Sequence, residues 1–365
     1  MRQPLCPYFV TCAGCDTQHL EYEIQLKNKI KSLSSFTNFP ADKIEVFHGE
    51  EYHYRNRMDF VFQSDRLGLR AKSNKIMDIE NCPISNDKLN ELLLETRIFF
   101  NKIKSHSLRP NTFLYAVIRT PSMDSGISFA VNDGSSDKIK AVSLVKEFSK
   151  KSKAENIVIG YAANNEVLTE KFMVVKGNER LKEKFLGKVF FFHSQGFFQN
   201  NSAVAEKMIS YVKTKLSSKK GYLLDLYGGV GVFGLSMNEL FDKVTIVESF
   251  PLSVKCAEEN IKFNHIANAE AVCSDAKNIH KLKLLKPLHV ITDPPRTGMG
   301  NIALQKLIEL KPETIIYISC NPLKFKKEFI KFNRNGYKIN SVALFDMFPQ
   351  TNHIEAVVEM VNQKA

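Results

Sequence analysis

"DLYGGVGVFGL", residues 225–235, sets Gly229-x-Gly231-x-x-Gly234 directly after an apolar run, "YLLDLYG" (222–228). Glycines at a strand-to-helix turn adopt positive φ and let a ligand approach the backbone closely. The spacing alone fits a dinucleotide, another adenosine-containing cofactor, or a tight turn that holds nothing. What surrounds the turn narrows the choice.

Working outward, "NSAVAEKMISYVKTKL" (201–216) is an amphipathic helix ahead of the 222–228 strand. After the glycines come "KVTIVE" (243–248), a helix over "PLSVKCAEENIKF" (251–263) and the strand "AEAVCSD" (269–275). "LHVITDPP" (288–295) and "TIIYISC" (314–320) follow, with "NIALQKLIEL" (301–310) between them. Apolar strands alternating with helices predict a parallel sheet covered on both faces, so the fold class is α/β, Rossmann-like. "INSVALFDMF" (339–348) and "HIEAVVEMV" (353–361) break the alternation and predict an antiparallel pair at the sheet edge. Upstream, the rhythm is α+β. A helix over 19–36 precedes short segments at 57–63, 113–120, 126–133 and 156–162 that read as antiparallel strands, with a helix over 85–105.

The 365 residues suffice for two or three domains, and 44% hydrophobic with 25% charged residues is ordinary for a globular chain. No window approaches a membrane span and "MRQPLCPYFV" lacks a signal-peptide core, so a cytoplasmic protein is expected. The net charge of +12 suits a polyanionic partner. Nothing calls for an obligate protein partner. Seven cysteines without a secretion signal argue against a disulfide framework.

Ligands of a doubly wound sheet sit at the carboxyl ends of its strands. Asp225, Tyr227, Gly229 and Gly231 fall there, Glu248 ends the next strand where a carboxylate takes ribose hydroxyls, and Asp275 ends the third, near an adenine edge. Asp225 would face an ammonium better than a pyrophosphate, which favours S-adenosylmethionine over NAD. "DPPRTG" (293–298) and "SCNP" (319–322) close the fourth and fifth strands and face the same cleft. Cys320 is a candidate nucleophile, since a thiolate attacks soft carbons at modest pKa; as a lone residue it reads equally as a small space-filler. Glu355 enters an apolar strand, which is costly unless it is paired or poised for proton transfer. The bland alternative is a solvated edge-strand glutamate, and His353 reads as a turn residue.

The set "GFFQNN" (196–201), "DLYGGVGVFGL", "IVE", "DPPRTG", "ISCNP" and "LFDMFPQTNHIEAVV" resembles the RNA uracil-C5 methyltransferase family across the whole C-terminal half. One departure is Gly228-Gly229, where members usually carry Cys-Gly. The resemblance implies a class I, S-adenosylmethionine-dependent enzyme forming 5-methyluridine. In it Cys320 adds to uracil carbon 6, the methyl moves to carbon 5, and Glu355 removes the carbon-5 proton. It further implies that Asp293 lies near uracil and donor and that Gln199 lies beside the cofactor. Phe197 and Phe198 read either as core or as pocket lining. Rivals are an adenine-N6 methyltransferase, against which Arg296 stands where an aromatic belongs, a dehydrogenase, and a non-catalytic metal-containing RNA-binding module.

Cys6, Cys12 and Cys15 crowd one loop, and Cys82 offers a fourth thiolate. Such a set holds a [4Fe-4S] cluster or a structural zinc. Three-plus-one spacing with a trailing proline favours the cluster, as does similarity to iron–sulfur members of the family. No β-barrel RNA-binding domain is expected ahead of these cysteines, so the layout most resembles short members acting on 23S rRNA, with the tRNA T-loop as the alternative. The expected division is residues 1–45 with Cys82 for the cluster segment and helix, 46–192 for an α+β RNA-binding domain, and 193–365 for the methyltransferase domain. The target uridine must be unpaired or flipped. Basic stretches "KNKIK" (27–31), "YHYRNRMDF" (52–60), "KIKSHSLR" (102–109) and "KFKKEFIKFNR" (324–334) are candidate phosphate contacts, and the arginines and aromatics of "YRNRMDF" are candidates for stacking on bases.

Overall fold

The chain opens with a cysteine-bearing loop and helix α1 (Tyr22–Thr37), which buries one stripe, Gln25, Lys29, Leu33 and Thr37, four residues apart. A three-residue strand, β1 (Glu45–Phe47), follows. The computed structural model describes residues 2–63, 66–101, 108–163 and 169–364; most of the basic stretch at 102–109 lies outside them.

A seven-stranded sheet comes next, built from β2 (Arg57–Gln63), β3 (Arg66–Arg70), β4 (Ile76–Met77), β5 (Phe113–Arg119), β6 (Gly126–Asn132), β7 (Asn156–Ala162) and β8 (Phe172–Lys176), with α2 (Asp87–Asn101) and α3 (Lys138–Ser149). Its order is β4-β3-β2-β5-β6-β7-β8. The sequence predicts antiparallel pairing throughout, but β6 and β7 run parallel. The reason is α3, which the sequence reading left out. Parallel neighbours need a crossover connection, and a helix between the strands supplies it. Phe62, Phe100, Phe113, Phe129 and Phe148 stack edge-on or tilted in the core beneath this sheet.

A hairpin of β9 (Arg180–Phe185) and β10 (Lys188–His193) leads into α4 (Ser202–Leu216), capped by Asn201, whose side chain accepts from Val204 N. The second sheet then assembles from β11 (Tyr222–Leu226), β12 (Lys243–Glu248), β13 (Ala269–Cys273), β14 (Leu288–Thr292), β15 (Thr314–Ser319), β16 (Tyr337–Phe345) and β17 (Glu355–Asn362). Between these strands lie α5 (Val232–Ser236), α6 (Pro251–Phe263), α7 (Asn301–Glu309) and α8 (Pro322–Arg334). The order is β1-β16-β17-β15-β14-β11-β12-β13. Strands β11 to β15 are parallel, and the central β11, β14 and β15 are buried along their whole length, as two helix-covered faces require.

Strand order reverses between β11 and β14, which opens a crevice at their carboxyl ends. The C-terminal pair forms as expected, with β17 antiparallel to both β15 and β16. It does not stand outermost, because β1 adds in parallel to β16. Helix α1 packs against α8, so the N-terminal helix and strand are part of the body of this sheet. Among the described residues no helix is long and apolar enough to cross a membrane.

Candidate active site

The glycine turn is held from three sides. Tyr227 takes φ 61°, Gly229 φ 55° and Gly231 φ 85°, and Gly231 N donates to Gly228 O at 2.7 Å. A Cβ on Gly229 would meet nothing within 4 Å, so this residue borders open space. A Cβ on Gly228 would meet Ile246 Cγ2 at 2.7 Å and the Asp225 carboxyl at 3.0 Å. The departure from Cys-Gly therefore has a packing counterpart: Ile246 occupies the room.

Asp225, buried in β11, accepts from Gly234 N through Oδ2 at 2.8 Å, while Oδ1 has no partner among the described residues. Burial raises its carboxyl to about 7, with the Glu248 charge adding to the rise against the Gly234 hydrogen bond. Glu248 accepts from Gly229 N at 3.1 Å through Oε2, and from Ser249 N and Phe250 N at 2.7 and 2.8 Å through Oε1. It ties the turn to the start of α6. Asp275 is exposed and caps the short helix after β13, accepting from Lys277 N at 2.9 Å, which lowers its pKa. Tyr227 Oη donates to Met299 O at 3.0 Å and so braces the turn against the 293–298 loop.

Cys320 leaves β15 one residue past Ser319, which pairs with Ala356. The ladder ends there, with Cys320 and Glu355 the next residues out from its last pair, and the Glu355 carboxyl acts on the Cys320 thiol. Glu355 is 8% exposed and stands on an interior strand, so the reading as a solvated edge glutamate fails. Asp293 lies one residue past β14 and donates its N–H to Leu226 O at 3.3 Å. Asn321 caps α8 by accepting from Lys324 N at 3.2 Å, and its amide donates to Arg296 O at 3.0 Å, which joins "SCNP" to "DPPRTG".

Three titratable groups thus meet. Burial pushes the Cys320 thiol up to about 12, the carboxyls of Glu355 and Asp293 push the same way, and Arg296 opposes them. Desolvation beside these carboxyls favours the protonated thiol. Burial and the neighbouring Asp225 charge raise Asp293 to about 7. Burial and Asp293 raise Glu355 well above the usual carboxylate range, against Arg296. An exposed Arg296 guanidinium stands 3.4 Å from His353 Nδ1 at the mouth.

Phe197 and Phe198 divide. Phe198 is buried and stacks on Phe192 at 4.0 Å between centroids, whereas Phe197 is 63% exposed. Gln199 is half-buried and accepts through its backbone carbonyl from Asn56 Nδ2 at 3.2 Å. The "YRNRMDF" stacking surface does not form. Tyr54 and Phe60 are buried, and Arg57 is engaged by Asp59 through two bonds of 2.7 and 2.9 Å. Within "KNKIK", Lys27 and Lys31 are exposed but Lys29 turns inward to Asp346 at 2.6 Å.

At the N-terminus Cys15 and Cys82 are buried and Cys6 and Cys12 half-buried. Asn90 on α2 fixes Cys82, accepting from its N–H at 2.9 Å and donating to its carbonyl at 3.1 Å. Burial raises the Cys6, Cys12 and Cys15 thiols, and each also feels Cys82, so the four belong to one neighbourhood. Among the described residues no group of three or more His, Cys, Asp and Glu is placed to hold a single metal ion.

A family model described as tRNA (Uracil-5-)-methyltransferase matches residues 21–363. An uncharacterised RNA methyltransferase of Caldanaerobacter subterraneus is 32% identical over 380 residues, covering 96% of this chain and 83% of that protein. A tRNA (uracil(54)-C(5))-methyltransferase of Pyrococcus horikoshii is 28% identical over 371 residues, with coverages of 98% and 85%. The crystal structure of the Pyrococcus abyssi tRNA (uracil-54, C5)-methyltransferase with S-adenosyl-L-homocysteine superposes with a TM-score of 0.77 at 26% identity, over 96% of this chain and 86% of that one. The crevice at the strand reversal, with cysteine beside glutamate, belongs to a class I methyltransferase fold. The chain is a member of the tRNA (uracil-5-)-methyltransferase family of RNA methyltransferases.

Proposed function

We propose that this chain forms 5-methyluridine in structured RNA through a covalent bond between Cys320 and uracil carbon 6. The observation that carries the reading is the pairing of β15 with β17, which ends at Ser319 and Ala356 and leaves Cys320, Glu355 and Asp293 acting on one another. The methyl donor would be S-adenosylmethionine. Its ammonium suits the unpartnered Oδ1 of Asp225, its ribose the carboxylate of Glu248, and Gly229 and Gly231 give it backbone room, with Gln199, Tyr227 and Asp275 at the rim. Bound there, it supplies an electrophilic methyl group.

The residues then divide the work. The Cys320 thiol gives up its proton as the S–C6 bond forms, and Asp293, near-balanced between its two forms at neutral pH, is the group to take it. Carbon 5 becomes nucleophilic and accepts the methyl. Glu355 in its ionised form removes the carbon-5 proton, the carbon–sulfur bond breaks, and Cys320 leaves as thiolate. Burial favours the protonated form of Glu355, and a cationic methyl donor nearby would favour the ionised form that proton removal needs.

RNA carrying 5-fluorouridine tests this. With the methyl donor it should leave an adduct stable to denaturation, since the fluorine cannot depart as a proton. Cys320→Ala should form none, and Glu355→Gln should accumulate adduct on natural RNA. Equal adduct from Cys320→Ala overturns the mechanism. The named relatives make the tRNA T-loop uridine the first RNA to assay, with 23S rRNA second because of the N-terminal cysteine layout; methyl transfer to each transcript decides between them. Such work fits the cytoplasm, with the sheet of residues 46–192 as the RNA platform.

The four cysteines fit a [4Fe-4S] cluster better than zinc. Four sulfurs around one zinc, each at ~2.3 Å, must lie within about 4 Å of one another, whereas a cluster binds each cysteine to a separate iron. The buried Gln18 side chain lies beside Cys15 and favours its thiolate, as suits a sulfur ligand. Cys6, Cys12, Cys15 and Cys82 would hold the group, which supplies cross-linking here. Iron and sulfide analysis after anaerobic purification decides, zinc alone being the contrary result.

A further inference from the structure

Glu355 follows a nine-residue connection, 346–354, between β16 and β17. Such a connection is ordinarily the least fixed part of a hairpin. Here the polar atoms of its first half are held, mostly by partners from the N-terminal stretch 16–54. Lys29 Nζ donates to Asp346 Oδ1 at 2.6 Å and to Phe348 O at 3.0 Å, and Tyr22 Oη to Asp346 Oδ2 at 2.8 Å. Tyr54 Oη donates to Pro349 O at 3.0 Å.

Gln350 is the centre of the lock. It is fully buried, a non-glycine residue at φ 67°, a conformation that persists only where its surroundings impose it. Gln25 binds it twice, accepting from its N–H and donating to its Oε1, both at 3.0 Å. Its carbonyl accepts from Asp16 N at 3.0 Å and Thr17 N at 3.2 Å, and its own amide donates to Glu51 at 3.2 Å. Asp16 directly follows Cys15, so the four-thiol neighbourhood anchors the same lock from behind.

We propose that the N-terminal segment acts as a positioning element for the general base, with Gln25 its principal residue, so that the 346–354 connection delivers the Glu355 carboxylate to carbon 5. This rests on the reading of Glu355 as base given above. Proton removal tolerates little misplacement, since a shift of ~1 Å can cost ~10²-fold in rate. Addition of Cys320 and methyl transfer do not use that carboxylate. The lock therefore governs the last half of the reaction and leaves the first half alone.

The experiment uses the full chain and two variants, Gln25→Ala and Tyr54→Phe, the latter removing one hydroxyl with little change of volume. Two rates are measured: adduct formation on 5-fluorouridine RNA, which stops before proton removal, and turnover on natural RNA. For Gln25→Ala, turnover should fall by about tenfold or more, methylated adduct should build up on natural RNA, and 5-fluorouridine adduct should form within about twofold of wild type. Tyr54→Phe should show the same split, more weakly. A parallel fall of both rates would mean a merely structural role and overturns the proposal, as does unchanged turnover in folded Gln25→Ala. If wild type itself forms no 5-fluorouridine adduct, the covalent mechanism fails instead.

Discussion

Asp225 and Asp293 have carboxyls that the fold makes reluctant to ionise, and this gives a pH signature. Both are raised to about 7 from an ordinary 3.8, chiefly by burial. A carboxyl raised on folding favours the folded state while protonated, so the unliganded protein should lose stability as pH climbs from about 4 to about 7. Cofactor affinity should run the other way, because an ammonium favours ionised Asp225. S-adenosylhomocysteine should bind up to about tenfold more weakly at pH 6 than at pH 8 by calorimetry, and Asp225→Asn, which keeps the acceptor for Gly234 N, should flatten that dependence. Cys320 and Glu355 were legible in the sequence as residue types at strand ends. Their mutual position was not, because it depends on β17 pairing beside β15.

At the scale of elements, α1 is joined to the hairpin connection through a buried ion pair, Lys29–Asp346, with side chains 4% and 0% exposed. Breaking such a pair leaves a charge stranded. Lys29→Met should cost about 3–5 kcal/mol in urea unfolding, and adding Asp346→Leu should return most of it. Three of the four residues on the buried stripe of α1, Gln25, Lys29 and Thr37, are polar, so apolar periodicity undercounts that face. The i, i+4 spacing of Gln25 and Lys29 was available as a signal, but only a partner carrying matching polar groups gives it meaning. Parallel pairing of β6 and β7 escaped because α3 went unread, although Ala141, Leu144, Val145 and Phe148 recur at helical spacing.

For the whole molecule, the surplus of +12 suits an RNA partner, and only part of it is on offer. Lys29 is buried and Arg57 is engaged by Asp59, whereas Lys27, Lys31, Lys326, Lys327 and Arg334 remain exposed on the packed pair α1 and α8. RNA affinity in a filter-binding assay should fall about tenfold or more between about 50 and about 200 mM salt, as phosphates rebind counterions. Binding of S-adenosylhomocysteine in a buried crevice should change far less over that range.

The sequence by itself determined the alternation of strands and helices, the glycine turn and the residue types at each strand end. These are local properties, written in periodicity and in the backbone freedom of glycine. Only the tertiary structure decided that β17 inserts between β15 and β16 and so brings Cys320 to Glu355, and that α1 reaches across to grip the connection leading into that glutamate. Both depend on contacts between residues some three hundred positions apart or on strand order. Neither leaves a trace in local pattern, because the free energy that selects them comes from burial shared between distant segments.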